Sequence, residues 1–487
     1  MAERFVWLAN SPTKKAQMKH EKLDRKSAVI IGTLLVTAFI GMLNETALGV
    51  ALPQVMKELQ IPESTGQWLN TAFMLTVAIV IPTTGYLQVR FSRRRLFLYG
   101  MGAFTIGTLV CAIAPAFAFL VIGRVIQAAG AGLMFPLLMT TIMVLVPEGS
   151  RGRIMGNIGI VMSVAPAIGP SFGGLVLNFS NWRTIFWIIL PIALVVTLFG
   201  YNKVRGEQER SKAGIDWLSV VISVFAFGGL IYGLSSFGDQ ARGKALLSPY
   251  IPLAVGLVAM VWFVRRQLKL AIEDRALLDV NVFRSRTFAL STFVLLAMCV
   301  SLFGLALLVP IFAQTALGFT ALQIGLALLP GTLFNGLISP YVGRLSDKYG
   351  PTKLMRPGSI VAALSLIYMC TFDINTQLWQ LFVSNFILGA GLAFIFTPLF
   401  TVSVSSLEPK LYPHGTAITG AAQQIAGAAG TAMMITVFTL VSVAAKNGGE
   451  VADIRAATDG AHWAFVSGAV ISIAAIFVTW AIKPLKK

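Results

Sequence analysis

Fourteen apolar stretches of 18 to 31 residues dominate the chain, at approximately 29–53, 67–87, 96–115, 117–147, 153–178, 183–201, 215–237, 249–267, 288–312, 323–342, 355–372, 379–401, 415–440 and 462–483. About 20 apolar residues in a helix rising ~1.5 Å per residue cross a bilayer. A segment in lipid must satisfy its own backbone hydrogen bonds, so long apolar runs become helices. The expectation is an all-α membrane protein with 14 transmembrane helices. Only 12% of the 487 residues are charged, against about 25% in soluble domains. A soluble enzyme is excluded, and so little chain lies outside the spans that no separate domain is expected.

The formal charge of +18 would suggest nucleic acid in a soluble chain. Here position explains it: with the N-terminus inside, 31 of the 38 Lys and Arg fall on the cytoplasmic side and six outside. By the positive-inside rule both termini are cytoplasmic and no nucleic-acid partner is expected. The run Lys14, Lys15, Lys19, Lys22, Arg25 and Lys26 suits topology first and anionic lipid second. Residues 1–28 lack a continuous apolar core and a small-residue cleavage site, so no signal peptide is expected. Cys111, Cys299 and Cys370 all fall inside spans without a CxxC pair, and neither a disulfide nor a metal site is indicated.

Pro82, Gly85 and Leu87 recur 258 residues later as Pro340, Gly343 and Leu345, and Gly130-Ala131-Gly132-Leu133 recurs as Gly389-Ala390-Gly391-Leu392. Two echoes at nearly one period indicate duplication. Both loop copies fall on the same side, so the repeats run parallel, as in transporters whose substrate site lies between two bundles. The organisation expected is a cytoplasmic segment 1–28, a six-helix bundle 29–201, a linker 202–287 with two extra helices, a six-helix bundle 288–483 and a tail 484–487.

A charge at mid-membrane costs at least about 2.5–3.5 kcal/mol, so ionisable residues there point to function. Glu45 in span 1 and Arg124 in span 4 qualify. Gly41 and Gly49 flank Glu45 at helical spacing, leaving room for a ligand or a close helix. Two readings of Glu45 stand: a proton carrier, or one half of a static ion pair with Arg124. Arg124, sharing a face with Gln127, either tunes an acid or snorkels to an interface. Pro166, Gly169, Pro170, Gly173 and Gly174 predict a kinked, tightly packed hinge helix. Asn44, Asn70, Phe73, Met74, Gln127, Asn335, Gln423 and Gln424 are the substrate-cavity candidates, and Asn157 and Asn385 are further polar groups in spans. Segment 441–461, with a short helix at 450–457, reads as a connection first and an exit lid second.

These motifs resemble the major facilitator superfamily, and within it the fourteen-span drug:proton antiporter branch, the EmrB/QacA family. Leu43-Asn44-Glu45-Thr46 with Val50-Ala51-Leu52-Pro53 is similar to the first-span motif. Arg124-x-x-Gln127-x-x-Gly130-x-Gly132 is similar to the fourth-span motif, and Gly169-Pro170-x-x-Gly173-Gly174 to the antiporter motif of span 5. Asn181-Trp182-Arg183 with Phe186-Trp187 fits the start of span 6. The loop motif is nearly intact at Gly343-Arg344-Leu345-Ser346-Asp347-Lys348-Tyr349-Gly350, whereas the first copy has Val89 at the acidic position and Ser92 at the glycine. An acid-based latch therefore does not transfer to that half. Asn44 stands where the family has aspartate, and the coupling role is assigned to Glu45, about 100° further round the helix.

The resemblance implies the major facilitator fold, two six-helix bundles plus two additional helices, rocking about a central cavity. It implies a cytoplasmic gate that here draws on Gly85, Arg90, Arg94, Gly343, Asp347, Lys348 and Gly350. The function implied is proton-coupled export of amphipathic, including cationic, compounds from bacteria through the cytoplasmic membrane. The proton gradient drives it, no cofactor is needed, and the partners are substrate, protons and lipid. The absence of a Gly-x-x-x-x-Gly-Lys-Ser/Thr loop and a HExxH helix argues against an ATP-driven pump or a hydrolase in this chain, and the Gly-x-Ser-x-Gly spacing at Gly169-Pro170-Ser171-Phe172-Gly173 falls inside an apolar span and not at a strand-to-helix elbow. A lipid or glycolipid exporter, a nutrient symporter and a non-transporting receptor are the alternatives.

Overall fold

The structure, a computed structural model, describes residues 23–204, 214, 216–241, 248–273, 275–445 and 450–483. Most of the basic N-terminal run and the tail 484–487 lie outside the described residues. Six long helices come first: α1 (Arg25–Glu58), α2 (Trp68–Arg90), α3 (Arg93–Ala112), α4 (Phe117–Leu145), α5 (Arg151–Phe179) and α6 (Arg183–Lys203). Next is α7, built from Trp217–Ser223, a wider π turn at Val224–Gly228 and Gly229–Ala241, followed by α8 (Tyr250–Ile272). The last six are α9 (Arg286–Thr315), α10 (Ala321–Tyr349), α11 (Pro351–Met369), α12 (Leu378–Ser405), α13 (Tyr412–Ala444) and α14 (Glu450–Ala481). Among the described residues there is no strand.

Apolar runs make these helices, and local chemistry sets their ends. Ser92 and Ser285 accept a backbone N–H of the first turn of α3 and α9, and Thr320 with Gln323 forms a capping box on α10. Gly350, at φ +92°, ends α10, and Pro351 starts α11 at once. Among the described residues thirteen helices are long and apolar enough to cross a membrane. The fourteenth, α11, has 19 residues and spends its first turns on Lys353 and Arg356, so it falls short by composition while packing inside the bundle.

The duplication is visible in the packing. α1 lies along α5 as α9 lies along α13; α2 lies along α4 as α10 lies along α12; α3 meets α4 and α6 as α11 meets α12 and α14. The halves join through two equivalent pairs, α5 with α10 and α2 with α13. Both seams depend on small residues. A methyl on Gly156 of α5 would stand 2.6 Å from the Pro340 Cα of α10, so the two backbones touch. α7 packs against α13, and α8 against α7.

The start of α7 is tied to α8 by Arg266, whose Nε and Nη2 donate to the two carboxylate oxygens of Asp216 at 2.7 and 2.8 Å. Arg266, with help from Ser219, holds the Asp216 carboxyl at about 2, below its ordinary 3.8. A depressed carboxyl stabilises the fold above about pH 4 and loses that contribution as pH falls towards about 2. Asp216→Asn is expected to cost about 1–2 kcal/mol at pH 7, after allowance for solvent around the arginine, and to lose its difference from wild type at low pH. Thermal unfolding in detergent across pH checks this.

Some local expectations change. α5, expected as a kinked and tightly packed helix, runs through Pro166 and Pro170 as one continuous helix. The outer segment from Glu450 is the first part of α14, not a separate short helix, and residues 446–449 lie outside the described residues.

Candidate functional site

α1 carries the central acid, and α5 holds it in place. A methyl on Gly173 would lie 2.6 Å from the Ala47 carbonyl oxygen, and one on Gly169 would collide with the Thr46 side chain. The hinge motif thus lays α5 directly on the α1 backbone next to Glu45. Gly174 meets nothing within 4 Å and takes no part in that contact. The two glycines flanking Glu45 also differ. Gly41 faces Ala131 of α4, while Gly49 opens onto empty space. The room beside the carboxylate therefore lies on one side, towards Gly49.

Glu45 itself is half-buried and interacts electrostatically with Arg124 without a direct ion pair. The static pair weighed from sequence does not form. Arg124 does not snorkel either, since it is 0% exposed. Its Nη1 donates to Gln127 Oε1 at 2.8 Å, Gln127 Nε2 donates to Thr108 Oγ1 at 2.8 Å, and Thr108 donates to the Phe104 carbonyl at 2.7 Å. Its guanidinium lies 4.0 Å from the centre of the Phe73 ring. A cation held by a π face and one amide is poorly neutralised, and Arg124 Nε and Nη2 have no partner. The arrangement keeps a positive field beside Glu45.

The cavity candidates separate. Asn44, Phe73 and Gln127, exposed 0%, 2% and 0%, are enclosed within the first half. Neither polar atom of the Asn44 side chain finds a partner. Asn70, Asn335, Gln423 and Gln424 are half-buried, and Met74 is exposed. Asn335 precedes Gly336, which faces Ser163 and Val164 of α5. Gln423 reaches the Cys299 thiol of α9, and Gln424 stands between Gly420, which faces Ile81 of α2, and Gly427, which faces Phe303 of α9. Asn335 and Gln424 therefore border the seam between the halves, while Gln423 turns to α9 of its own half. Asn157 is half-buried on α5, and Asn385 packs on Gly331.

At the basic end the halves are fastened. Asp347 accepts the backbone N–H of Gly152 and Arg153 at 2.7 and 2.8 Å, joining α10 to the N-terminus of α5. Gly343 lies directly on Gly152, and Gly85 faces His414 of α13. Thr140 meets Thr416 at 2.8 Å, and Arg151 donates to Ser405 Oγ at 3.1 Å. Of the remaining gate candidates, Arg94 stacks on Tyr201 of its own half, Lys348 stacks on Tyr349, and Gly350 ends α10, so none of these contacts bridges the halves; Arg90 lies at the last position of α2. Thr108, Thr140, Thr416, Arg151 and Ser405 were not singled out from sequence. Hydroxyls are ordinary in spans, and only tertiary pairing marks these. At the opposite end, Glu58 clasps the indole N–H of Trp182 at 2.8 Å and the Arg183 guanidinium, and Arg183 also reaches the Ala114 carbonyl at 3.0 Å. That clasp ties α1, α6 and the α3–α4 turn into one rigid half.

Comparison with known proteins points to one family and one fold. The profile of the Major Facilitator Superfamily matches residues 34–431 and 294–487. The chain is 37% identical over 461 residues to the lincomycin resistance protein LmrB of Listeria innocua, covering 94% of this chain and 97% of that protein. To LmrB of Bacillus subtilis it is 36% identical over 462 residues, covering 94% and 96%. A multidrug resistance protein B homolog of Mycobacterium tuberculosis is 28% identical over 423 residues, covering 86% and 77%. Among solved structures, the human organic anion transporter MFSD10 superposes with a TM-score of 0.64 at 15% identity, covering 93% of this chain and 99% of that one, which is a likeness of fold.

Proposed function

We propose that this chain, which belongs to the major facilitator superfamily, is a proton-coupled antiporter of the fourteen-span drug:proton branch, exporting amphipathic compounds by alternating access. As a multi-pass membrane transporter similar to lincomycin and multidrug resistance proteins, it is read as a drug efflux protein rather than an enzyme. The observation that supports the coupling is Glu45: a half-buried acid deep in α1, open towards Gly49, under the field of an Arg124 that makes no ion pair with it. A proton on Glu45 is exchanged for substrate on one side and returned from the other. Arg124 cannot itself give up a proton at physiological pH, and its role is to set how readily Glu45 does.

In this reading the basic end is cytoplasmic, both termini lie there, and the protein resides in the bacterial cytoplasmic membrane. The hydrogen bonds that join the halves gather at that end, through Asp347, Thr140 with Thr416, and Arg151, and in this reading they close the cytoplasmic side, which is the outward-facing arrangement of the cycle. Asn335 and Gln424 border the seam where substrate would lie. One acid in the cleft gives one proton per substrate as the simplest cycle, electroneutral for a monovalent cation. For a neutral compound it moves one charge, worth about 2.3 kcal/mol per 100 mV. No cofactor is required.

The test is a proteoliposome carrying an imposed pH gradient, challenged with a lincosamide, lipophilic cations and neutral antibiotics. Substrate-dependent proton release, opposite in direction to substrate movement, is the expected result. Movement of both in the same direction would make the protein a symporter. Binding with no flux at all would make it a receptor.

A further inference from the structure

The two loop copies are not equivalent. In the second half, Asp347 caps the N-terminus of α5 and Gly343 rests on Gly152 with nothing between. By the 258-residue repeat the first-half counterparts are Val89 and Gly85, and the helix they face is α13. The Val89 side chain has no oxygen to accept an N–H, so this seam lacks the acid that fastens the other.

A different segment occupies the place. A methyl on Gly85 would meet His414 Nδ1 at 2.9 Å, the Leu277 carbonyl oxygen at 3.3 Å and Leu278 Cδ2 at 3.3 Å. The connection between α8 and α9 thus enters the angle between α2 and α13. His414 Nδ1 accepts the backbone N–H of Asp279 at 3.2 Å. The connection is anchored just before that point by Gln267 of α8, 0% exposed, whose Oε1 accepts the N–H of Leu277 at 2.7 Å and of Leu278 at 3.1 Å. Gln267 Nε2 donates to Ser219 Oγ at 2.8 Å, and Ser219 bonds Asp216, the partner of Arg266. A continuous set of hydrogen bonds therefore runs from α7 and α8, through residues 277–279, to the N-terminus of α13 beside α2.

We propose that the two extra helices serve as a brace for the gate: Gln267 presents residues 277–279 so that Asp279 N–H holds His414, which replaces the missing acid latch of the first half and favours the state closed at the basic end. His414 and Gln267 are positioning residues and touch no transported compound. The device works because a backbone N–H already held in place by Gln267 loses little further freedom when it docks. In the second half the latch is built into the loop itself; in the first it is supplied from outside the repeat.

Asp279 has φ −76°, within the range of proline, so Asp279→Pro removes the N–H that His414 accepts. Asp279→Asn is the control, retaining that N–H and a side-chain oxygen for Asn281 N–H. Spin labels at Arg95→Cys and Lys353→Cys, exposed positions 258 residues apart at the basic ends of α3 and α11, report the opening between the halves. Cys370→Ser removes the partly exposed native thiol, while Cys111 and Cys299 are buried. In nanodiscs, wild type and Asp279→Asn are expected to give one dominant short distance. Asp279→Pro is expected to raise the ratio of open to closed about five-fold, the worth of one hydrogen bond. His414→Leu removes the acceptor and is expected to match it, carrying the test should the proline variant fail to fold. Wild-type distances in folded Asp279→Pro or in His414→Leu, or an equal shift in Asp279→Asn, would overturn the brace. The measurement uses no substrate and no proton gradient, so it stands or falls apart from the antiport reading.

Discussion

Glu45→Gln is expected to bind substrate and to lose substrate-driven proton release by about 100-fold or more, the lower range for removing a positioned proton-transferring group. Glutamine has the shape of a protonated glutamate, so the α1 face and the opening at Gly49 are preserved. Because Glu45 forms no ion pair with Arg124, the change leaves no broken bridge to confuse the result. Stability is expected to hold or rise, since a charge is removed from low-dielectric surroundings. Proteoliposome proton release and direct substrate binding, compared in the same preparation, separate the two effects. Retained proton release would move coupling to another group and leave Glu45 with a structural role. Glu45→Asp, shorter by one methylene, is expected to keep coupling at reduced rate.

Gly173→Ala is expected to damage the protein where Gly174→Ala does not. The new methyl at 173 would stand 2.6 Å from the Ala47 carbonyl and 3.3 Å from its Cα, both backbone atoms of a long helix that cannot step aside. Overpacking of this kind costs about 1–3 kcal/mol, and it falls two residues from Glu45. At 174 there is nothing within 4 Å to meet, and the effect is expected to stay within about 0.5 kcal/mol. Thermal unfolding of the purified variants and drug export from cells report both. Equal effects at 173 and 174 would mean that the motif acts through helix flexibility and not through contact with α1.

The same pair of glycines marks how far sequence reasoning reached. The density of Gly and Pro around 166–174 announces a packed helix, but which glycine touches a neighbour depends on the rotation of α5 against α1. Gly41 and Gly49 pose the same problem: spacing places both near Glu45, and only packing shows that one faces Ala131 while the other opens. Arg124 illustrates a question of depth. At seven residues into a span snorkelling stayed open beside burial, and Phe73, Gln127 and Thr108 decide it by enclosing the guanidinium. Asn44 and Gln127, counted as cavity candidates for their polarity, are buried because polarity says nothing of the direction a side chain faces.

What the sequence determined by itself was everything set by the solvent and by the repeat. Lipid forces long apolar runs into helices, and the period of 258 residues makes two parallel six-helix halves with an inserted pair. A charge in the membrane is costly enough that Glu45 and Arg124 stood out without coordinates. What only the tertiary structure decided were the contacts between segments far apart in the chain: Asp347 on the α5 N-terminus, Thr140 against Thr416, and the Leu277–Asp279 connection set between Gly85 and His414. Those contacts depend on the rotation and register of whole helices, which many small packing terms fix together, and no local pattern in one segment encodes the segment it will meet.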